Sequence, residues 1–567
     1  METTNIESVA YLVAILTKND ISEVIVSPGS RNAPITIALA RQSDINIHLI
    51  HDERVAAFVA IGMADELKKP VAIVCTSGSA ALNYAPAVAE AYYRLVPLLV
   101  ITADRPAFLI DQGDGQCIRQ NGIYHNFIKA EFKLPEQAST VKEMEEVIAT
   151  VEEAIQSVSS IPRGPVHLNV PLYEPLYNVA EFNPGQAIKK VNVPKPLPNV
   201  KESKINELGE IWRQTKRKLI IIGQLNEGQD LKPIIDQIAE QRSVAILVEN
   251  TSNLQNFQRY CHNIDRTLAM ISEAEIENFE PELILQIGGA IVSKKIKVFL
   301  RKAKVKHNWR LGYRLIQEDT FLSKTATLQI SPITFLKVLS NQEDTTNSNF
   351  ANLWKTKDLL SIEKHQDFIL NAPYSDLAVF DLLLDTLPDD SALQMGNSSV
   401  IRYCQLFNPV QGLKYYGNRG VSGIDGSTST AVGMAIANPN QLVVLITGDI
   451  SFFYDSNGLW VSDLPGNLRI FLINNNGGGI FNILPGSRGA NENKLFVAPH
   501  QANAKGICEA YQVDYKKVYT LKEVEENMFD FYQIEKNARP KLMEVYTGEA
   551  NNHVVLSDYF KMLSSKN

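Results

Sequence analysis

Residues 442–481 read LVVLITGDISFFYDSNGLWVSDLPGNLRIFLINNNGGGIF. Two apolar runs, LVVLITGD and LRIFLINNN, each have the length of one buried strand, and each stops in a cluster of Gly, Asp or Asn. Asp449 at the end of the first and Asn475 at the end of the second are 26 residues apart. That interval holds a strand end, a helix and a return strand, and such a crossover brings both strand ends to one edge of a parallel sheet. Working outward, apolar runs alternate with helical patterns through residues 5–180, where EVIVS, VAIVCTS, PLLVITA and PVHLNV are strand candidates. The middle of the chain repeats the pattern with KLIIIG, VAILVE and LILQIGG, and SALQMGN opens the last third. The segments KKVNVPKPLPNVKES (189–203) and SNQEDTTNSN (340–349) read as linkers. The expected fold class is α/β, with three domains over residues 1–185, 200–340 and 350–567, each a mainly parallel sheet covered by helices.

A chain of 567 residues exceeds what one core supports. Its formal net charge of -8 leaves no basic excess to neutralise phosphates, which argues against a nucleic-acid partner. Small anionic ligands need only a local positive patch. Cys75, Cys117, Cys261, Cys404 and Cys508 are scattered without C-x-x-C spacing, so neither a disulfide framework nor a zinc site is indicated. The opening METTNIESVAYLVAILTKND lacks a basic region ahead of its apolar residues and reads as an amphipathic helix, not a signal peptide. No apolar run approaches the ~20 residues that cross a bilayer. The expectation is a reduced, cytoplasmic, soluble protein without stable membrane insertion.

Two stretches carry candidate chemistry. In residues 24–34, VIVSPGSRNAP, a short core strand meets a Gly turn and a helix start, with Ser30 or Asn32 as the candidate cap. Outward-pointing backbone N–H groups make such a turn an anion site, to which Arg31 would add a planar fork, although on this stretch alone a solvated arginine on an ordinary turn is the favoured reading. In residues 442–481, Asp449, the side-chain oxygen of Asn475 and a backbone carbonyl near Gly477 form a hard-oxygen set. Mg²⁺ takes partial cages of this kind and completes them with phosphate oxygens and water.

The Gly-Asp followed two dozen residues later by Asn-Asn resembles the thiamine-diphosphate motif. That resemblance implies a buried carboxyl beside the cofactor's aminopyrimidine ring. HLIHDERVAAFVAIGMADE (48–66) supplies Glu53 at the start of an apolar helix, where it could also be a simple dipole partner. VCTSGSAALNYAPAVAEAYY (74–93) adds a second Gly-Ser strand end with Thr76, and Asn83 beyond it.

Within the thiamine-diphosphate superfamily the chain resembles the 2-succinyl-5-enolpyruvyl-6-hydroxy-3-cyclohexene-1-carboxylate synthases (the MenD family). The motifs SPGSRNAP, DERVAAF, TADRP, GQCIRQ, GGAIVSKK, MGNSSVIR, NRGVSGIDGSTST, GDISFFYD and NNNGGGIFNILP carry the resemblance, in that order, over residues 27–485. The resemblance implies a transferase of menaquinone biosynthesis that decarboxylates 2-oxoglutarate and adds the succinyl unit to isochorismate in a Stetter-type step, using thiamine diphosphate and Mg²⁺ or Mn²⁺. Four substrate carboxylates require several cationic donors. Ser398, Arg402 and Arg419 are implied for the succinyl end, and Ser30, Arg31, Arg105, Gln116, Lys294 and Lys295 for isochorismate. Ser398 and Arg402, four apart, would share a helix face. Glu53, Thr76, Asn83, Ser422, Gly423, Ile424, Asp425, Gly448, Asp449, Ile450, Ser451, Asn475 and Gly477 are implied cofactor contacts, Asp449, Asn475 and Gly477 through the metal. Ile480, Phe481 and Leu484 would pack on the cofactor. Family sites pair the pyrimidine domain of one subunit with the diphosphate domain of another, which implies a homodimer or homotetramer. Two positions depart from the pattern: Gly115 stands where Asn is usual, and Lys295 where Arg is common. An acetolactate-synthase-like carboligase is disfavoured by the number of arginines, since pyruvate has one carboxylate. A non-catalytic anion-binding protein is disfavoured by the intact Glu53, Asp449 and Asn475. A dinucleotide oxidoreductase lacks its G-x-G-x-x-G.

Overall fold

The computed structural model describes residues 2–183, 188–225, 229–314, 316–483, 485–535, 538–548 and 551–565. The chain forms two compact units: Met1–Pro196 with Asn418–Asn440 and Asp455–Pro465, and Leu197–Gly417 with Gln441–Tyr454 and Gly466–Asn567.

In the first unit six parallel strands lie in the order Asn46–Leu49, Glu23–Val26, Val71–Cys75, Leu98–Asp104, Val166–Pro171, Ala130–Lys133. Val71–Cys75 and Leu98–Asp104 are buried along their whole length, as strands covered on both faces must be. The amphipathic helix expected at the N-terminus spans only Glu7–Lys18. Ahead of it Glu2–Thr4 pairs antiparallel with Val179–Glu181, burying the β-branched Thr3 and Thr4. Helix Glu53–Leu67 is crossed by Ser427–Ala437 at two glycines. A Cβ on Gly62 would stand 2.0 Å from the Thr430 carbonyl oxygen, and one on Gly433 2.0 Å from that of Val59. Only glycine permits so close an approach of two backbones.

The second unit holds two sheets, both parallel throughout. Five strands run in the order Val244–Val248, Lys218–Ile222, Leu283–Ile287, His307–Leu311, Ala326–Leu328. Six run Lys414–Gly417, Ala392–Met395, Val443–Gly448, Leu468–Asn474, Lys541–Tyr546, Asp514–Val518. Val443 pairs with Leu468 and Gly448 with Ile473, so the two runs of the opening stretch are parallel neighbours ending at one edge. The expected α/β class with parallel sheets is what the chain adopts. Among the described residues no helix is long and apolar enough to cross a membrane.

Candidate active site

In the second unit, strand Val443–Gly448 delivers Asp449 to the sheet edge and strand Leu468–Asn474 delivers residues 475–477 beside it. The Asp449 carboxylate is 2% exposed; it accepts the Gly477 N–H (2.9 Å) on one oxygen and the Ile450 N–H (2.7 Å) on the other. Burial raises its carboxyl above the usual range, against those N–H groups. Asn475 donates its amide N–H to Asp376 Oδ2 (3.1 Å), which leaves Asn475 Oδ1 buried with no hydrogen-bond partner. Asp376 is itself buried and accepts the Thr547 hydroxyl; burial pushes it up to about 6 against the Thr547 and Asn475 bonds. Asn476 and Gly477 have φ of 63° and 144°. The Gly477 carbonyl accepts the Gly479 N–H (2.8 Å), so one lone pair remains. A Cβ built on Gly448 meets nothing within 4 Å, so the strand end borders open space. A carboxylate, an orphaned amide oxygen and a carbonyl beside that space fit an Mg²⁺ completed by phosphate oxygens. Among the described residues no cluster of three or more His, Cys, Asp or Glu stands ready for a metal; this set uses a single acidic side chain. Asp376 and Thr547 escape sequence reading because they lie 99 and 72 residues from Asn475 and carry no local signal.

The same unit carries an open pocket of about 750 Å³ among helices Ile264–Ala269, Lys294–Lys302, Ser399–Cys404 and Asn552–Ser564. Lys294, Lys295, Arg402 and Ile480, all anticipated from the sequence, line it, as does Asp265, which was not. The expected Ser398–Arg402 helix face needs correcting. The helix starts at Ser399; Ser398 is its N-cap with φ 70°, and Arg402 donates to the Ser398 carbonyl. Ser399 is the serine that lines the pocket with Arg402. Lys295 Nζ sits 3.4 Å from the Phe560 ring centroid, and burial lowers its pKa against the pull of Asp265. Lys294 is exposed. Phe481 packs on Phe496 with ring centroids 5.9 Å apart. Leu484 lies outside the described residues.

In the first unit the arginine of the 24–34 turn is not solvated. Arg31 is 3% exposed; it donates to the Leu172 carbonyl (3.0 Å) and to Glu174 Oε1 (3.2 Å), whose own side chain is 72% exposed. Its pKa is lowered by burial and then by the nearby Arg105 charge, against Glu174. The two guanidiniums thus share one field. Asn32 is the cap by position, but its side chain does not bond the helix: the amide turns back to the Ser27 carbonyl (2.9 Å), and Ser30 is exposed. Thr76 Oγ1 accepts the Arg31 N–H (3.2 Å), and a Cβ on Gly29 would fall 2.4 Å from Thr76 Cβ, so this turn requires glycine. Arg105 donates to the Gly115 carbonyl (2.9 Å), a contact that any residue at 115 could supply. Gln116 is exposed with φ 54°, and its carbonyl accepts the Ser77 hydroxyl (2.8 Å). Asn83 is exposed and donates to the Ser79 carbonyl (3.2 Å).

Glu53 opens helix Glu53–Leu67, with Asp52 capping the Val55 N–H (3.2 Å). Its carboxyl is raised by burial, and the Asp52 charge adds to the rise. The loop carrying Arg419, Ser422, Gly423, Ile424 and Asp425 is held against this unit by Glu90, a buried carboxylate that accepts the Gly420 (2.8 Å) and Val421 (2.6 Å) N–H groups. Asn418 donates to the Gly426 carbonyl (3.2 Å) and Thr430 Oγ1 (3.0 Å), and Arg54 donates to the Asp425 carbonyl. The loop therefore reaches the helix start that bears Glu53.

Residues 6–124 match the family model described as "Thiamine pyrophosphate enzyme, N-terminal TPP binding domain", and residues 394–545 match "Thiamine pyrophosphate enzyme, C-terminal TPP binding domain". A protein of Flavobacterium johnsoniae named 2-succinyl-5-enolpyruvyl-6-hydroxy-3-cyclohexene-1-carboxylate synthase is 41% identical over 565 residues, 98% of each chain. Proteins of the same name from Christiangramia forsetii (39% over 580 residues, 98% of each) and Bacteroides thetaiotaomicron (34% over 570 residues, 99% of each) are similar along their whole length.

Proposed function

The chain belongs to the 2-succinyl-5-enolpyruvyl-6-hydroxy-3-cyclohexene-1-carboxylate synthase family, and on that premise we propose the reaction it performs. It is a transferase that decarboxylates 2-oxoglutarate and adds the succinyl fragment to isochorismate by conjugate, Stetter-type addition. Thiamine diphosphate, when bound, supplies the nucleophilic carbon and the electron sink for this chemistry. One observation carries the reading: Asn475 Oδ1 is buried without a partner next to the Asp449 carboxylate, where the strand end opens at Gly448. Asp449, Asn475 and the Gly477 carbonyl would hold Mg²⁺, or Mn²⁺ in its place, and through it the diphosphate.

Glu53 holds a proton toward a ring nitrogen of the aminopyrimidine, a task suited to a carboxyl raised by burial. Ser398, Arg402 and Arg419 take the distal carboxylate of the donor. Ser30, Arg31, Arg105, Gln116 and Lys294 take the carboxylates of the acceptor. Glu174 occupies Arg31 from a largely exposed side chain, so an incoming carboxylate can displace it without emptying a buried site. Ile480 and Phe481 exclude water, because protonation before coupling would release succinic semialdehyde. Thr76, Asn83, residues 422–425, Gly448, Ile450 and Ser451 complete the cofactor contacts. We assign residues 1–185, 200–340 and 350–567 to a pyrimidine, a central and a diphosphate domain, and expect a cytoplasmic homodimer or homotetramer.

The test is an assay of purified protein with 2-oxoglutarate, isochorismate, Mg²⁺ and thiamine diphosphate, with light scattering for the assembly. CO₂ release coupled to adduct formation is the expected result. Turnover of pyruvate with neither of those would overturn the assignment.

A further inference from the structure

Both chain neighbours of Glu53 are tied to one short segment. Asp52 spends Oδ1 on the Val55 N–H as a helix cap; its Oδ2 accepts the Asn457 amide N–H (2.9 Å), a bond that capping does not require. On the other side Arg54 faces Asp455 Oδ1 at 3.3 Å while donating to the Asp425 carbonyl. Asp455 is fully buried and anchored by Ser429, whose N–H (2.8 Å) and hydroxyl (2.7 Å) it accepts. A helix first turn is normally held by its cap and frays readily. Here side chains from outside the helix fix the residues before and after Glu53. A buried ion pair is weak evidence for stability, because desolvation offsets its attraction. What the Arg54–Asp455 contact supplies is direction.

We propose that Asp455 and Asn457 are positioning residues that clamp Asp52 and Arg54 and so aim the Glu53 carboxyl. This rests on the reading of Glu53 as the group that holds a proton toward the cofactor. Proton transfer demands near-ideal placement, and a displacement of about 1 Å can cost about 10²-fold in rate.

Two variants test the clamp, with proton–deuterium exchange at the reactive carbon of bound thiamine diphosphate as the readout in the absence of substrates. Asn457→Ala should slow exchange and kcat by about tenfold to a hundredfold. KM for both substrates, thiamine diphosphate affinity by tryptophan fluorescence, and Tm should stay close to wild type. Asn457→Asp sets two carboxylates against each other. Its exchange should be slow near about pH 8 and recover toward about pH 6, as the introduced carboxyl takes a proton and donates it to Asp52. Wild-type exchange in Asn457→Ala, losses that track Tm or cofactor affinity, or a pH-independent Asn457→Asp defect would each overturn the clamp. A wild-type protein that binds no thiamine diphosphate would overturn the proposed function and the clamp with it. Wild-type exchange that Glu53→Gln abolishes and Asn457→Ala leaves intact would remove the clamp alone.

Discussion

Replacing Asp376 with alanine should weaken metal binding by a calculable amount. Asp376 Oδ2 receives the Asn475 amide N–H at 3.1 Å, which fixes the amide so that its oxygen, not its nitrogen, is left over. Without that acceptor the amide can rotate by half a turn and present N–H groups to the cation. A hydrogen bond to a charged acceptor contributes about 1.5–3 kcal/mol, which corresponds to roughly tenfold to a hundredfold in affinity. That range agrees with the usual cost of removing a group that orients a metal ligand, about 10–100-fold. Asp376→Asn keeps a neutral acceptor, whose bond is worth about 0.5–1.5 kcal/mol, and should lose only the difference of about 1–1.5 kcal/mol, about fivefold to tenfold. Titration with Mn²⁺ at saturating thiamine diphosphate, followed by electron paramagnetic resonance of unbound Mn²⁺, measures the affinity without any turnover. Circular dichroism checks that the fold survives, since Asp376 also binds Thr547 and its backbone N–H donates to Asn552. A folded Asp376→Ala protein with Mn²⁺ affinity within about twofold of wild type would show that Asp376 does not orient the amide, because the bond would then be worth under ~0.5 kcal/mol.

Glu53→Gln should keep the fold and cofactor binding yet lose nearly all turnover; near-wild-type kcat would remove Glu53 from its role. Arg31→Ala should raise KM for isochorismate far more than KM for 2-oxoglutarate, and an equal rise in steady-state assays would place Arg31 elsewhere. Acid should destabilise the second unit through His262 and His365, both buried and each pushed down to about 3 by burial. The unfolded chain binds a proton on each near pH 6.5 while the native chain does not, so stability is whole above pH 6.5 and falls as pH drops toward about 3. At pH 5 the loss is about 2 kcal/mol per histidine. His365→Gln should therefore show a smaller fall in urea midpoint between about pH 7.5 and about pH 5 than wild type; identical falls would count against this account.

Much of the molecule is legible from local pattern. Runs such as VAIVC and VVLIT bury every residue in the sheets, and apolar continuity of that kind predicts a parallel strand covered on both faces. The Asp449–Asn475 pairing follows from spacing, because a crossover fixes which ends become neighbours. The N-terminus misled at Thr3 and Thr4, whose strand partner lies near residue 180, beyond the reach of periodicity. Ser398 and Arg402 misled for a different reason: spacing of four implies a shared face only if both residues are helical, and Ser398 is a cap with positive φ. Arg31 was ambiguous because Glu174, its partner, stands 143 residues away.

Local pattern alone settled the parallel α/β class, which strand ends meet at one sheet edge, and the residue types standing there. These depend on patterns within a few turns of chain, where the spacing of apolar residues dictates what is buried. The tertiary structure alone decided which polar groups are satisfied and which are left over. Asn475 keeps an orphaned oxygen because Asp376, 99 residues away, takes its N–H; Glu90 holds the 418–425 loop across 330 residues; Asn457 reaches Asp52 across 405. No local propensity encodes such pairs. They arise only when packed sheets and helices bring distant backbones together, and buried polar groups must then find partners or be reserved for a ligand.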